Sequence, residues 1–141
     1  MTPADLRVGE IAEDTQQVTP ERTASHIGSG ALRVYASPAM ALFVEQTCRR
    51  LVEGRLPQGM TTVGVELRLR HLAPTPLGAT VRIRAEVVGV EGEAVDFKAE
   101  VWDEQELVGE AEHQRRIVDV DRFLRRVQAK AARKPDGSAL R

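Results

Sequence analysis

Glu45 lies inside the run Ser37-Pro38-Ala39-Met40-Ala41-Leu42-Phe43-Val44-Glu45-Gln46-Thr47-Cys48, the most apolar helical stretch of the chain. A helix that is apolar around most of its circumference is a buried one. An ionised carboxylate there is costly unless it is paired, hydrogen-bonded or shifted in pKa. Arg49, four residues on, is one available partner on the same helix face. Others come from period-two segments further along, where His71, His113 and Arg115 fall on the faces that are otherwise apolar. A carboxylate in such company can act as base or nucleophile, a histidine can carry protons near neutral pH, and an arginine can anchor an anion or support the carboxylate. Ser37, read as the residue capping the helix, adds a hydroxyl beside the free amides of a helix N-terminus, a place for an anion or a developing oxyanion. Ser37 and Glu45 stand about 12 Å apart along the axis by the helical rise. Direct contact is not expected, and a histidine or a bound substrate would have to bridge them.

The elements that must position these residues are legible from periodicity. Residues 10–18 read as a polar edge strand. Thr19-Pro20 is a cap followed by proline at the first helical position, opening a short helix to about Ser25. Gly28-Ser29-Gly30 closes it, Ser37-Pro38 repeats the cap-plus-proline signal, and Gly54 stops a central helix over residues 38–53. Period-two alternation follows. Val63, Val65, Leu67, Leu69 and His71 share one face, opposite Thr62, Glu66, Arg68 and Arg70. The same pattern places Val81, Ile83, Ala85 and Val87 together, then Val95, Phe97, Ala99 and Val101, then Leu107, Gly109, Ala111, His113, Arg115 and Ile117. A basic amphipathic helix carrying Phe123, Leu124 and Val127 begins at Asp119. The expected organisation is one domain over residues 1–134, with residues 135–141 a disordered tail. The fold class is α+β: one long central helix covering the apolar face of an antiparallel sheet.

Composition narrows the function classes. Twenty basic and 21 acidic residues leave a net charge of −1, which gives no electrostatic case for nucleic acid or an anionic membrane. No apolar stretch approaches spanning length, and the N-terminus lacks a leader pattern, so cytoplasm is the expected location. A single cysteine, Cys48, excludes an intramolecular disulfide and a multi-cysteine metal site. Its expected role is helix packing. There is no glycine-rich phosphate loop, no Gly-x-Ser-x-Gly elbow and no metal-ligand spacing.

The chain resembles the hotdog-fold acyl-CoA thioesterases, most closely the fluoroacetyl-CoA thioesterase type. Val34-Tyr35-Ala36-Ser37 through Glu45-Gln46-Thr47-Cys48 and His71-Leu72-Ala73-Pro74-Thr75-Pro76-Leu77-Gly78 carry the likeness, with a weaker match at Gly109-Glu110-Ala111-Glu112-His113-Gln114-Arg115. The resemblance implies a hotdog fold and hydrolysis of an acyl thioester. By position it places the family's hydroxyl on Ser37, where threonine is usual, its carboxylate on Glu45, its histidine on His71 and its arginine on Arg115. Ser37, Glu45 and His71 are then the expected catalytic residues and Arg115 the expected substrate-binding one. Glu45 would be nucleophile or general base, no cofactor beyond the coenzyme A of the substrate is implied, and the assembly would be a homodimer or a higher homo-oligomer. Residues 26–35 contain no phenylalanine, whereas the fluoroacetyl enzyme bears phenylalanines over its pocket. Arg33, Arg68 and Arg70 are the cations available for the coenzyme A phosphates. A non-catalytic acyl-CoA-binding or sensing module is the alternative, and a hotdog hydratase would want an Asp/His pair that is absent as a local motif.

Overall fold

The computed structural model describes residues 6–133. In chain order it contains β1 (Ile11–Gln17), a 3-10 turn (Pro20–Arg22), α1 (Ala24–Ile27), α2 (Ser37–Glu53), β2 (Met60–His71), β3 (Thr80–Glu91), β4 (Ala94–Trp102), β5 (Leu107–Asp119) and α3 (Val120–Ala132). The expected helix after Thr19 is thus split into a 3-10 turn and a single α-helical turn. The tail beyond residue 134 lies outside the described residues.

The strands form one antiparallel sheet in the order β1-β3-β4-β5-β2, so the strands bearing the candidate residues, β5 and β2, are neighbours and β2 is an edge. α2 lies across the apolar face. Its Met40, Val44, Cys48 and Val52 are fully buried and meet Val81, Ile83, Ala85, Val87, Val95, Phe97 and Val101 from the middle strands. Close approach is possible because β5 is small where the helix crosses. A Cβ on Gly109 would run into the Met40 thioether. The far end of α2 is tied to β1 and the segment before it by Arg50–Asp14 and Arg55–Glu10 ion pairs. Cys48 is buried in this layer, and burial pushes its thiol up to about 12.

α2 is amphipathic rather than apolar all round, with Ser37, Leu42, Gln46 and Arg49 exposed. The outer face of the sheet is a cross-strand ladder of charge, in which Arg68 meets Glu112 at 3.4 Å and Arg70 meets Glu110 at 3.0 Å. Arg68 and Arg70 therefore point away from α2, on the solvent side of the sheet, each within ion-pair distance of a β5 glutamate.

The alternation holds in β3 to Val87, and throughout β4 and β5 from Gly109 on, but breaks in β2. A register shift between Gly64 and Glu66 inserts Val65 as an extra residue. Val65 is 53% exposed, while Thr62, expected outside, is buried. A one-residue insertion reverses facing on one side of the bulge. Thr62 and Gly64 face α2 before it, and Leu67, Leu69 and His71 resume the inward face after it.

Candidate functional site

α2 begins one residue earlier than its cap-plus-proline signal implied. Ala36 is the N-cap, Ser37 is the first helical residue, and no side chain caps the helix. The Ser37 hydroxyl is free for another partner, and His71 takes that place: Ser37 Oγ lies 2.7 Å from His71 Nδ1. His71 reaches it because β2 ends there, directly opposite Gly109 of β5. The ring of Tyr35, immediately before the helix, stands edge-on to the imidazole at 6.3 Å. Tyr35 is itself fixed by a hydrogen bond from Gln16 on β1, and burial raises its phenol to about 12. Burial lowers the pKa of His71, partly opposed by the Ala73 backbone, so the imidazole is held neutral. Nε2 is buried with no hydrogen-bond partner among the described residues, so Nδ1, on the serine hydroxyl, is the ring nitrogen that is engaged. The pair sits at the α2 N-terminus, where first-turn amides have no intrahelical acceptor.

A second cluster forms two turns along α2. Glu45 does not pair with Arg49, which bridges Glu53 at 3.4 Å instead. It faces Arg115 of β5, whose Nη1 is 3.7 Å from Glu45 Oε2. The two partners differ in burial: the Glu45 side chain is 41% exposed, that of Arg115 only 7%. Arg115 is held by Thr62, with Nε donating to the hydroxyl at 2.8 Å and Nη2 to the carbonyl at 3.2 Å. Its Nη1 lies 3.2 Å from His113 Nε2, and His113 Nδ1 lies 2.7 Å from the Glu66 carbonyl. The His113 ring stacks on Phe97 at 6.1 Å. Desolvation lowers the pKa of both Arg115 and His113, with the Glu45 carboxylate opposing it in each case.

The four residues singled out from sequence are thus brought together as two pairs, Ser37 with His71 and Glu45 with Arg115. Thr62 and Gly64 were missed. A Cβ on Gly64 would stand 2.9 Å from Glu45 Oε2, so this glycine makes room for the carboxylate. A glycine inside a strand is the one signal that marks a bulge or a close approach. Arg33 is exposed in the segment leading into α2, and His26 is exposed in the last turn of α1. Among the described residues no group of His, Cys, Asp and Glu is arranged to hold a metal ion, and no helix is long and apolar enough to cross a membrane.

A long helix cradled by a five-stranded antiparallel sheet, with polar residues gathered along one side of that helix, defines a hotdog fold. The chain belongs to the family described as fluoroacetyl-CoA-specific thioesterase (FlK), whose model matches residues 18–121. It is 28% identical to the fluoroacetyl-CoA thioesterase of Streptantibioticus cattleyicolor over 131 residues, covering 89% of this chain and 94% of that protein. A solved structure of the fluoroacetyl-CoA thioesterase FlK superposes with a TM-score of 0.83 at 27% identity, over 92% of this chain and 98% of that one. A hot-dog-like protein from Thermanaerovibrio acidaminovorans superposes with a TM-score of 0.86 at 25% identity, over 92% of this chain and 96% of that one.

Proposed function

We propose that this chain hydrolyses an acyl-CoA thioester to the free acid and coenzyme A, with Glu45 as nucleophile or general base and His71 and Ser37 assisting. The observation that carries this reading is the 2.7 Å Ser37–His71 contact at the N-terminus of α2, with a carboxylate on the same helix facing Arg115. Membership of a thioesterase family supports it.

Two routes fit these groups. Glu45 attacks the thioester carbonyl, the C–S bond breaks, and water then opens the resulting mixed anhydride. Alternatively, Glu45 takes a proton from a water molecule as that water attacks. In both, sulfur leaves as a thiolate that acquires a proton, and one water is consumed. Negative charge on the carbonyl oxygen is met by the first-turn amides of α2. His71, neutral and bonded to Ser37, fixes that hydroxyl and relays protons. Arg115 anchors the acyl group or holds Glu45.

The active form in this reading is a homodimer of single-domain chains, joined through the edge of β2. That edge offers up to 12 residues whose outer backbone groups pair with no other strand of the described chain. A two-fold pairing sets the His71 end of one β2 beside the Met60 end of the next. One protomer's Ser37–His71 pair then approaches the other's Glu45, which answers the separation of the two along a single helix. Sedimentation at micromolar concentration tests the assembly, and a monomer would overturn it.

Activity is tested by incubating the pure protein with a panel of acyl-CoAs and a thiol reporter. Thiol release that Glu45→Gln abolishes is the expected result. Binding of acyl-CoA without thiol release would make the chain a non-catalytic binding or sensing module instead.

A further inference from the structure

We propose that His113 is a positioning residue: a neutral imidazole locked in its Nδ1–H tautomer, whose Nε2 lone pair holds the Arg115 guanidinium in place beside Glu45. The inference rests on reading Glu45 and Arg115 as part of the site, but its central claim concerns protonation and is separable from activity.

The tautomer follows from what each neighbour can do. Nδ1 lies 2.7 Å from the Glu66 carbonyl oxygen, which only accepts, so Nδ1 carries the hydrogen. Nε2 lies 3.2 Å from Arg115 Nη1, which only donates, so Nε2 must be bare. The groups facing the ring are Arg115 on its own strand, Glu45 from α2, the Glu66 carbonyl from β2 and the Phe97 ring from β4. Protonating Nε2 would turn a cationic N–H against the guanidinium in a space that is almost closed to water, with His113 only 4% exposed.

The arrangement depends on the β2 bulge. The register slips between Gly64 and Glu66, which turns Thr62 inward to hold Arg115 Nε and leaves the Glu66 carbonyl turned to the His113 ring. Thr62 and His113 together occupy three of the five guanidinium donors, from two sides. The remaining donors are aimed rather than free to swing. Losing the His113 contact leaves one end of the guanidinium unheld, and a misplacement of about 1 Å at a reacting centre can cost on the order of a hundredfold in rate.

The chain has three histidines, so a long-range proton–nitrogen correlation spectrum of uniformly labelled protein resolves each ring. At pH 7 the expected pattern for His113 is a protonated Nδ1 and a bare Nε2. An Nε2–H tautomer or an imidazolium would overturn the proposal, whether or not the protein proves to be a thioesterase. A kinetic arm uses two amides of different reach. His113→Asn keeps the donor toward the Glu66 carbonyl but has no acceptor at the Nε2 position, whereas His113→Gln places an amide oxygen there. Gln should retain kcat/KM at least about tenfold above Asn at equal thermal stability, by the same positioning argument. Equal activity of the two variants, high or low, would assign His113 to packing alone.

Discussion

Gly64 and Glu45 are matched in shape: a Cβ on the glycine would stand 2.9 Å from the glutamate carboxylate and 3.5 Å from Arg115 Nη1. The Gly64 backbone does not adopt a positive φ, so alanine is conformationally acceptable there. The atom in the way is the far end of a flexible side chain, which can swing aside. Gly64→Ala should therefore fold with little loss of stability, because Glu45 moves. Turnover should fall by roughly a hundredfold through that displacement. Thermal unfolding and thiol-release kinetics on the same preparation check both halves.

Glu45→Gln preserves size and hydrogen bonding but removes charge and basicity. Loss of acid–base or nucleophilic work should lower kcat by about two orders of magnitude or more. Arg115 keeps its Thr62 and His113 contacts without Glu45, so the fold should persist. An active Gln variant with a native circular-dichroism spectrum would remove the mechanism.

Ser37 separates capping from catalysis. Because Ala36 is the N-cap and no side chain caps α2, Ser37→Ala should escape the roughly 1 kcal/mol that loss of a serine cap usually costs. Its rate should nevertheless fall, as the hydroxyl on His71 Nδ1 is gone. Ser37→Thr keeps the hydroxyl and should keep turnover. Urea midpoints measured beside initial rates distinguish these outcomes.

Both His71 and His113 are held below the ordinary histidine value of 6.5, in each case chiefly by burial. The unfolded chain therefore binds more protons than the folded one just below that value. The stability these two groups sustain is complete above about pH 6.5 and declines as pH falls from there toward their folded values. Urea unfolding at pH 7.5 and 5.5 should show a loss at the lower pH, reduced in His113→Phe. The same shift keeps His71 neutral, so the acid limb of the rate assigned to it should lie below pH 6.5.

Gly109→Ala addresses the core. The added methyl meets Met40 Sδ and, at 2.9 Å, Cε. Overpacking of this kind costs about 1–3 kcal/mol. The cost should shrink when Met40 is also truncated, giving a double-mutant cycle that is not additive. Additive costs in urea titrations would show that the helix shifts rather than the side chain.

The fold was readable in the chain because β3, β4 and β5 alternate strictly over most of their length: Ile83, Phe97 and Ala111 all lie inside, as their parity requires. β2 was only half readable. Val63, Val65 and Leu67 continue the period-two pattern in sequence, yet the slip after Gly64 puts Val65 in solvent and Thr62 in the core. A bulge depends on how a strand meets its neighbour, which local alternation does not encode. The candidate residues were legible from type, parity and family resemblance, but their pairings were not. Local rules favoured Arg49 for Glu45 and a backbone amide for Ser37. Partners 70 and 34 residues away, Arg115 and His71, displaced them.

The burial of Cys48 gives the molecule its own unfolding sensor. The single thiol of the chain is fully enclosed in the native state and, with its pKa pushed up to about 12, is overwhelmingly protonated at neutral pH. A disulfide reagent in the assay therefore meets only the sulfur released from substrate while the protein is folded. The same reagent without substrate reports opening of the layer between α2 and the sheet. One chemical readout thus follows turnover and local unfolding on a single unlabelled chain, and lets a variant that is slow be told from one that is coming apart.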